Sequence, residues 1–533
     1  MVQDRAIDRR RLLQLAASAA TGLWLPRAAR SQPRLPANPF ALGVASGSPS
    51  HDSVVLWTRL AAPGIFETLG NQSIAVRWEL AHDEQFSRIV QRGQSPALFE
   101  LAHSVHVEVA GLEPDRWYFY RFIAGDAVSP TGRTRTFPAP DAIVQQLRLG
   151  LASCQRWEHG YYSAYRHMRS ENLDAVLFVG DYIYEYPIAS NPVRVPTGGW
   201  VVTLDDYRRR YALHKSDADL QAMHAACPWL HTWDDHEVQN DYAGLAPGYS
   251  GRAAPPDTLE SFPARRAAAY QAFYEHMPLR ASVLTRAVAG LATGAEMRIY
   301  SQQRIGRLAT LYLLDDRQYR DRQACTPGGR FGSGEVNPAA CPDWNDPKRS
   351  LLGAAQEQWL EAALAAGGGT DWTVIGQQTL FGQRNTRRRA AQFLWNDGWD
   401  GYSAARRRLT DALQRHRAPN PVVLGGDVHE NWVGHVKADY TRPDSATVGV
   451  EFCGTSITSR SSREGKVPAA LLAENPHFIF AESERRGYGV CEFTPTHLTT
   501  SLRVVDDVRR KDAGIETLAR FVMEAGRPRL EQA

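Results

Sequence analysis

Residues 175–184 read Ala-Val-Leu-Phe-Val-Gly-Asp-Tyr-Ile-Tyr. The run of five apolar residues at the start of this stretch predicts a β-strand that is buried on both faces. Gly180 and Asp181 follow the strand directly, so a carboxylate is placed at its C-terminal end. Sites in α/β folds assemble at the carboxyl ends of parallel strands. The stretch therefore predicts an α/β domain with its chemistry at one edge of a sheet.

Three other predicted strands also end in polar clusters. One such cluster is weak evidence, because Gly-Asp after a strand is common and a lone histidine is usually structural. Four clusters in one chain predict that the strand ends meet at a common site. The other three clusters are Ser153-Cys154-Gln155, Asp234-Asp235-His236-Glu237 and Gly425-Gly426-Asp427-Val428-His429.

The rest of the chain divides into two parts. Apolar strands alternate with helical stretches over 145–510, which predicts a layered α/β catalytic domain. Residues 38–138 contain short alternating strands separated by turn signals, which predicts a small β-sandwich of the immunoglobulin or fibronectin type. Tyr118, after Leu112-Glu113-Pro114, is expected to form a tyrosine corner. Residues 511–533 are predicted to be a tail or a helix.

The N-terminal segment 1–31 has the features of an export signal. Adjacent arginines at 9–11 precede a mild apolar run from Leu15 to Leu25, and Ala29-Arg30-Ser31 supplies small residues for cleavage. The paired arginines and the weak apolar run predict export by the Tat machinery to the periplasm or the medium. The chain has no other run of about 18 apolar residues, so no transmembrane segment is expected in the mature form.

Composition excludes several classes of protein. Of 533 residues, 43% are hydrophobic and 22% are charged, which excludes long-range disorder and coiled coil. The 61 Lys and Arg residues against 58 Asp and Glu residues give a net charge of +3, too small to indicate a nucleic-acid partner. Among six cysteines, Cys325 and Cys341 flank a loop rich in Gly, Pro and Asn and are expected to form a disulfide.

The four clusters resemble the motifs of the calcineurin-like metallophosphoesterases. Gly180-Asp181-x-x-Tyr184 is similar to the GDxxY motif of purple acid phosphatases, and the clusters at 234–237 and 426–429 fall where that group has its next motifs. The cluster residues, together with Gly43–Pro49, most resemble the PhoD-like alkaline phosphatase and phosphodiesterase family. The resemblance spans Phe40 to Val505 and implies a two-sheet αββα metallophosphoesterase sandwich.

The resemblance also implies two metal sites that share Asp181. A thiolate, a phenolate and an imidazole in the first site suit Fe3+, and a set of oxygen ligands in the second suits Ca2+. The number of calcium ions is left open, as is whether Asn240 and Asp241 bind a further one. The first set is Cys154, Asp181, Tyr184 and His429. The second set is Asp181, Asp235 and Asp427, with Gln377 open as a fourth ligand.

These expectations describe an exported phosphoesterase acting on small or polymeric phosphate esters. Two cations would lower the pKa of a water that attacks phosphorus, and His236 would protonate the leaving alkoxide. His236 is alternatively a structural hydrogen-bonding residue, and Asp234 a turn cap. Lys215 is a candidate phosphate contact or a surface residue.

Two other functions remain open at this stage. One is a phosphodiesterase with phospholipase D activity on the same scaffold. The other is a non-catalytic protein that binds a cell-surface polymer through the β-sandwich, against which the full ligand set argues. The aromatic segment Trp395–Tyr402 is either a loop at the pocket mouth or a structural cluster.

Overall fold

The structure is a computed structural model that describes residues 37–61, 71–187, 191–251, 255–284, 296–387, 391–442, 444–461 and 469–533. The predicted signal at 1–31 lies outside these residues. The chain forms two compact units. The first holds the residues up to Ala139 with Thr203–Leu230 and Arg266–Arg298, and the second holds the remainder through Ala533. The two inserted stretches, predicted within 145–510, therefore cluster with the N-terminal unit.

The elements are labelled in chain order. The strands are β1 (Val44–Gly47), β2 (Ser53–Arg59), β3 (Ile74–Ala81), β4 (Ile89–Ala97), β5 (Ser104–Ala110), β6 (Trp117–Ala124), β7 (Ala127–Val128), β8 (Gly132–Arg135), β9 (Leu147–Ala152), β10 (Ala175–Val179), β11 (Trp229–Thr232), β12 (Ser301–Ile305), β13 (Ala309–Leu313), β14 (Glu335–Val336), β15 (Trp372–Gly376), β16 (Leu394–Trp395), β17 (Pro421–Gly425), β18 (Asn431–Lys437), β19 (Thr447–Cys453), β20 (Phe478–Glu482), β21 (Arg486–Phe493), β22 (His497–Val505), β23 (Ile515–Glu524) and β24 (Leu530–Gln532). The α-helices are α1 (Ser163–Met168), α2 (Leu204–Lys215), α3 (Ala218–His224), α4 (Phe262–His276), α5 (Gly353–Ala366), α6 (Ser403–Arg415) and α7 (Ala469–Ala473).

The first unit contains a predominantly antiparallel β region. Strands β1, β2 and β5 pair in that order, and β4, β3 and β6 form another sheet in which β7 and β8 both pair with β6. Side chains of both sheets, including Val54 and Phe122, share one buried apolar core. The Tyr118 hydroxyl accepts a 3.0 Å hydrogen bond from the Glu113 backbone N–H, which confirms the tyrosine corner.

The second unit contains two large mixed sheets, which confirms an α/β fold. One has the order β24-β23-β22-β21-β9-β10-β11, and the other β12-β13-β15-β17-β19-β18-β20. Strands β9 and β10 are parallel, as are β13, β15, β17 and β19. The Leu177 side chain of β10 lies close against Gly376 of β15, so the two sheets face each other there. Leu360 of α5 and Leu409 of α6 pack in a core with Ile375 of the second sheet.

The C-terminal segment differs from its prediction. Residues 515–524 and 530–532 form β23 and β24 rather than a tail or a helix, and they extend the first sheet of the second unit beyond β22. Ala519, Phe521 and Met523 are buried at alternate positions. Burial at every second position is the signal of a half-buried strand. This signal outweighs the polar residues that lie between the buried ones.

The disulfide between Cys325 and Cys341 is present, as predicted. The other four cysteines are unbridged and buried. No helix among the described residues combines the length and the apolar character needed to cross a membrane.

Candidate metal centre

The predicted ligands come together at the carboxyl ends of four strands of the second unit. Donor atoms of Cys154, Asp181 and His429 all lie within 4.8 Å of one another. The same holds for Asp181 with Asp235 and His236, and for Asp235 with Asp427 and Asp234. Asp181 and Asp235 belong to more than one of these groups, so the donors form one continuous cluster.

Four of these residues adopt the left-handed backbone conformation that non-glycine residues rarely use. The φ angles are 58° at Cys154, 60° at Asp181, 67° at Asp427 and 58° at His429. Such conformations persist only where the surrounding structure imposes them, and they concentrate at functional sites. Gly180, with a φ of 107°, allows a close approach, because a Cβ there would lie 2.4 Å from the Asp234 Cβ.

Tyr184 links the donors of the first predicted metal site. Its hydroxyl lies 2.8 Å from Asp181 Oδ2, 3.1 Å from His429 Nε2 and 2.7 Å from Ser459 Oγ. His429 Nδ1 lies 2.8 Å from the Arg460 carbonyl oxygen. Burial, with nearby Arg486, lowers the pKa of His429 to about 3, so the imidazole is neutral. A neutral ring that donates from Nδ1 presents Nε2 as a ligand.

The oxygen-rich side of the cluster is held by backbone and hydroxyl donors. Asp427 Oδ2 accepts a 2.6 Å hydrogen bond from Thr379 Oγ1, and Asp235 Oδ2 accepts one of 2.8 Å from the Asp241 N–H. Asp241 and Asp397 form a further group with Asp235, with donor atoms within 4.8 Å. Asp241, left open by the sequence, is therefore part of the cluster.

Of the two residues left open by the sequence, Gln377 has its amide oxygen engaged by other groups, whereas Asn240 is engaged through its amide nitrogen and its oxygen stays available. The Gln377 amide oxygen accepts hydrogen bonds from Thr379 N–H at 3.1 Å and Trp399 Nε1 at 3.0 Å, so its acceptor is in use. The Asn240 side-chain amide donates to the Tyr249 carbonyl oxygen at 2.8 Å.

Lys215 is buried in the first unit, not on the surface, with Nζ 4.3 Å from the centroid of the Trp57 ring.

The donor set fits bound cations. Asp181 Oδ1 and Asp235 Oδ1 are buried and have no hydrogen-bond partner among the described residues. Burial raises the pKa of Asp181, Cys154 and Tyr184 well above the usual values, and mutual repulsion among these groups adds to the effect. Buried anionic donors without partners are unfavourable unless a cation compensates them.

His236 is oriented by a carboxylate. Its Nδ1 lies 2.7 Å from Glu185 Oε2, and the other oxygen of Glu185 accepts 2.8 Å hydrogen bonds from Asn240 N–H and Ser250 Oγ. Burial opposes the charged imidazole, yet the carboxylates of Asp235, Asp181 and Glu185 raise the pKa of His236 well above its usual value. These carboxylates therefore favour the protonated form of the ring.

Arg317 is a residue that sequence reasoning missed. Its guanidinium donates to Asp234 and, at 2.7 Å, to Asp397 Oδ2, and it lies 3.8 Å from Asp235 Oδ2. Asp234 is thus an ion-pair partner of a buried arginine and not a turn cap. An arginine that follows a buried strand and two aspartates, Asp315-Asp316, was the available signal.

Glu237 belongs to the predicted cluster at 234–237, but its role was not predicted. Its carboxylate accepts the backbone N–H groups of Asp181 at 3.1 Å, Asp234 at 2.8 Å and Tyr182 at 2.5 Å. It therefore ties the loop after β10 to the loop after β11.

The aromatic segment 395–402 has a mixed role. Trp399 and Tyr402 are buried in the apolar core beneath the second sheet, while Trp395 is 41% exposed. The contribution of this segment to the cluster is Asp397, which also accepts hydrogen bonds from Arg320 at 3.0 Å and Gln323 at 2.8 Å.

Donor side chains of sulfur, oxygen and nitrogen type thus lie together at strand ends of two facing sheets, an arrangement suited to holding metal ions. The sequence matches the PhoD-like phosphatase family over residues 149–502 and the N-terminal domain of PhoD-like phosphatases over residues 27–138. The chain belongs to the PhoD-like phosphatase family. It is therefore an enzyme, a phosphoesterase that acts on phosphate esters, and the hypothesis of a non-catalytic polymer-binding protein is wrong.

Two known proteins are similar to the chain over nearly its whole length. Alkaline phosphatase D of Bacillus subtilis (strain 168) is 42% identical over 538 residues, covering 98% of this chain and 88% of that protein. A solved structure described as the structure of PhoD matches with a TM-score of 0.86 and 43% identity, covering 94% of this chain and 93% of that one. These similarities confirm the family predicted from the sequence motifs.

Proposed function

We propose that this protein is an exported alkaline phosphatase and phosphodiesterase that hydrolyses phosphate monoesters and diesters with Fe3+ and Ca2+ at the strand-end cluster. The observation that carries the proposal is the contact of Tyr184, Asp181 and His429 beside Cys154. We further propose that the second unit is the αββα sandwich of metallophosphoesterases and that the β region of the first is an immunoglobulin-like sandwich.

The donor chemistry supports a division between the two metals. Cys154, Asp181, Tyr184 and His429 would hold Fe3+, because thiolate, phenolate and imidazole suit that ion. The oxygen-rich side would hold Ca2+, which accepts irregular shells of carboxylate oxygens. Bound cations would lower the pKa of a water and neutralise charge on the phosphate. The calcium ligands would be Asp181, Asp235 and Asp427, with Asp241 and Asp397 available for a further ion.

The side chains around the cluster support catalysis in distinct ways. His236 holds a proton for the leaving oxygen, and Glu185 fixes its ring through Nδ1. Arg317 balances the charge of Asp234 and Asp397, so the carboxylates that face the cluster stay close together. The strained backbone at Cys154 and Asp181 fixes the donors before substrate binds.

Residues 1–31 support the proposed route of export. A folded protein with its metals in place suits the Tat machinery, and the cluster of buried donors fits such a protein. The periplasm or the medium is the proposed location.

Metal content and paired substrate rates test the proposal. The purified mature protein is expected to contain iron and calcium and to hydrolyse p-nitrophenyl phosphate and bis-p-nitrophenyl phosphate. Asp181→Asn should lower both metals together, because Asp181 is shared. A protein that is active with zinc alone would contradict the metal assignment. Rapid release of choline from phosphatidylcholine with no hydrolysis of the nitrophenyl esters would favour phospholipase D activity.

A further inference from the structure

Two aromatic side chains extend from the ring of His236 in the second unit. The Tyr186 ring centroid lies 5.5 Å from that of His236, and the Trp200 centroid lies 5.7 Å from that of Tyr186 at an interplanar angle of 34°. Both aromatic residues are half-buried, so part of each ring is accessible. We call this pair the aromatic platform.

The platform is fixed to the same backbone that orients His236. The Val201 N–H, next to Trp200, donates to the Glu185 carbonyl oxygen at 2.8 Å, and the Val201 carbonyl oxygen accepts from Arg265 at 2.8 Å. The Arg156 guanidinium lies 4.4 Å from the Tyr186 ring centroid and donates to the Tyr186 carbonyl oxygen at 2.7 Å. These contacts hold the Tyr186 ring and the backbone next to Trp200, and the Trp200 ring lies against that of Tyr186.

The position of the aromatic platform beside His236 indicates which part of the substrate it would contact. Because Nδ1 of His236 is engaged by Glu185, Nε2 is the ring nitrogen left to face the substrate. The leaving alcohol must then lie against the His236 ring. The other aromatic neighbour of His236 is Tyr184, at 4.2 Å, and its hydroxyl is engaged by Asp181 and Ser459. Among the described residues, Tyr186 is a half-buried aromatic neighbour of His236, and Trp200 lies beside Tyr186.

We propose that Tyr186 and Trp200 bind the leaving group of the ester and select apolar, planar leaving alcohols over small polar ones. The proposal rests on the proposed function, because it takes His236 as the group that faces the leaving oxygen. Flat rings in contact gain a stabilisation beyond simple burial, worth several-fold in affinity. A glycerol leaving group has no flat apolar face and gains nothing from the pair.

Trp200→Ala tests this selection with two monoesters that differ only in the leaving alcohol. For p-nitrophenyl phosphate, kcat/KM should fall by about 3- to 10-fold, the range of an aromatic pair. For β-glycerophosphate it should change by less than about 2-fold, with metal content unchanged. Trp200→Phe should restore most of the aryl rate. Trp117→Ala, at a half-buried tryptophan of the first unit, serves as the matched control and should change neither rate.

The outcomes distinguish the proposed leaving-group site from the proposed phosphoesterase function. Equal losses on both esters, or no loss on the aryl ester, would overturn the platform. A wild-type protein that hydrolyses neither ester would overturn the proposed function itself. If Trp200→Ala fails to fold, Trp200→Leu keeps a larger apolar side chain than alanine while removing the flat ring. The preference for the aryl ester must still decline in that variant.

Discussion

The carboxylate of Glu185 lies 2.7 Å from Nδ1 of His236 and is itself fully buried. Burial disfavours an ionised carboxylate, yet the neighbouring His236 lowers the pKa of Glu185 to about 2. The pair therefore combines a carboxylate that stays ionised with an imidazole whose orientation is fixed. Glu185 is a positioning residue, because it acts on the ester only through His236.

Glu185→Gln should slow esters with poor leaving groups selectively. A glycerol alkoxide needs a proton to leave, whereas p-nitrophenolate leaves without one. We expect kcat for β-glycerophosphate to fall by about 100-fold, within the range of general acid catalysis, and kcat for p-nitrophenyl phosphate to fall far less. This preference is opposite to that of Trp200→Ala. His236→Gln should show the same preference as Glu185→Gln, and equal losses on both esters would contradict the positioning role.

Tyr184→Phe separates an iron site from a zinc site. A phenolate bound to Fe3+ gives a visible charge-transfer band, which Zn2+ with its full d shell cannot give. The pure protein should be coloured, and Tyr184→Phe should remove the phenolate band. Tyr182→Phe is the matched control, because Tyr182 packs against Phe178 and His231, and should leave the band intact. A colourless, iron-free and fully active wild type would contradict the iron assignment.

The strand ends and the polar residues that follow them were predictable because their signals are local. The apolar run 175–179 followed by Gly180-Asp181 specifies a buried strand with a carboxylate at its end, whatever the rest of the chain does. The ion pairs of Arg317 had no such signal. They join residues 83 and 80 positions apart in sequence, and only the packing of loops from different strands brings them together.

The division into units was also only partly predictable. Helix α2 has a clear local start, since Thr203 and Asp206 form a capping box. That signal fixes where the helix begins, but not which unit it packs against. Strand β23 is the opposite case. Its alternation of apolar and polar residues was visible in the sequence, but its place at the end of the chain favoured the prediction of a tail.

Arg317→Met should destabilise the protein strongly. The substitution leaves the buried carboxylate of Asp234 without its cation and leaves Asp397 with Arg320 as its remaining cation. Removing one partner of a buried ion pair lowers the free energy of unfolding by about 3–5 kcal/mol. Urea denaturation of the metal-loaded protein measures the change. Arg442→Met, at an exposed pair with Asp444, should stay within about 0.5 kcal/mol of wild type. A loss below about 1 kcal/mol for Arg317→Met would show that bound metals already balance the carboxylates.

Reduction of the disulfide between Cys325 and Cys341 should lower stability and weaken the oxygen-rich side of the cluster. The loop that the bridge closes contains Ser333, which donates to Asp241 Oδ2 at 2.5 Å through its hydroxyl. Opening a loop of this length lowers the free energy of unfolding by about 3 kcal/mol. Denaturation with and without dithiothreitol measures the change, with calcium content followed in parallel.

The double variant Cys325→Ser, Cys341→Ser is the control for that experiment. It should match the reduced wild type and show no response to dithiothreitol. A response that persists in the double variant would show that dithiothreitol acts somewhere other than this bridge and would contradict the prediction.

Lys215→Met should stabilise the protein at neutral pH, by an amount that shrinks as the pH rises. Burial lowers the pKa of Lys215 from 10.5 to about 7. Below pH 7 the lysine is protonated in both the folded and the unfolded state, so the unfavourable burial of its charge is fully present. Between pH 7 and pH 10.5 only the unfolded chain keeps the proton, and stability rises by about 1.4 kcal/mol per pH unit from this group. Denaturation at pH 7, 8 and 9 should show this slope in wild type and its loss in Lys215→Met. Exposed Lys348→Met should retain the slope, and parallel curves for wild type and Lys215→Met would contradict the prediction.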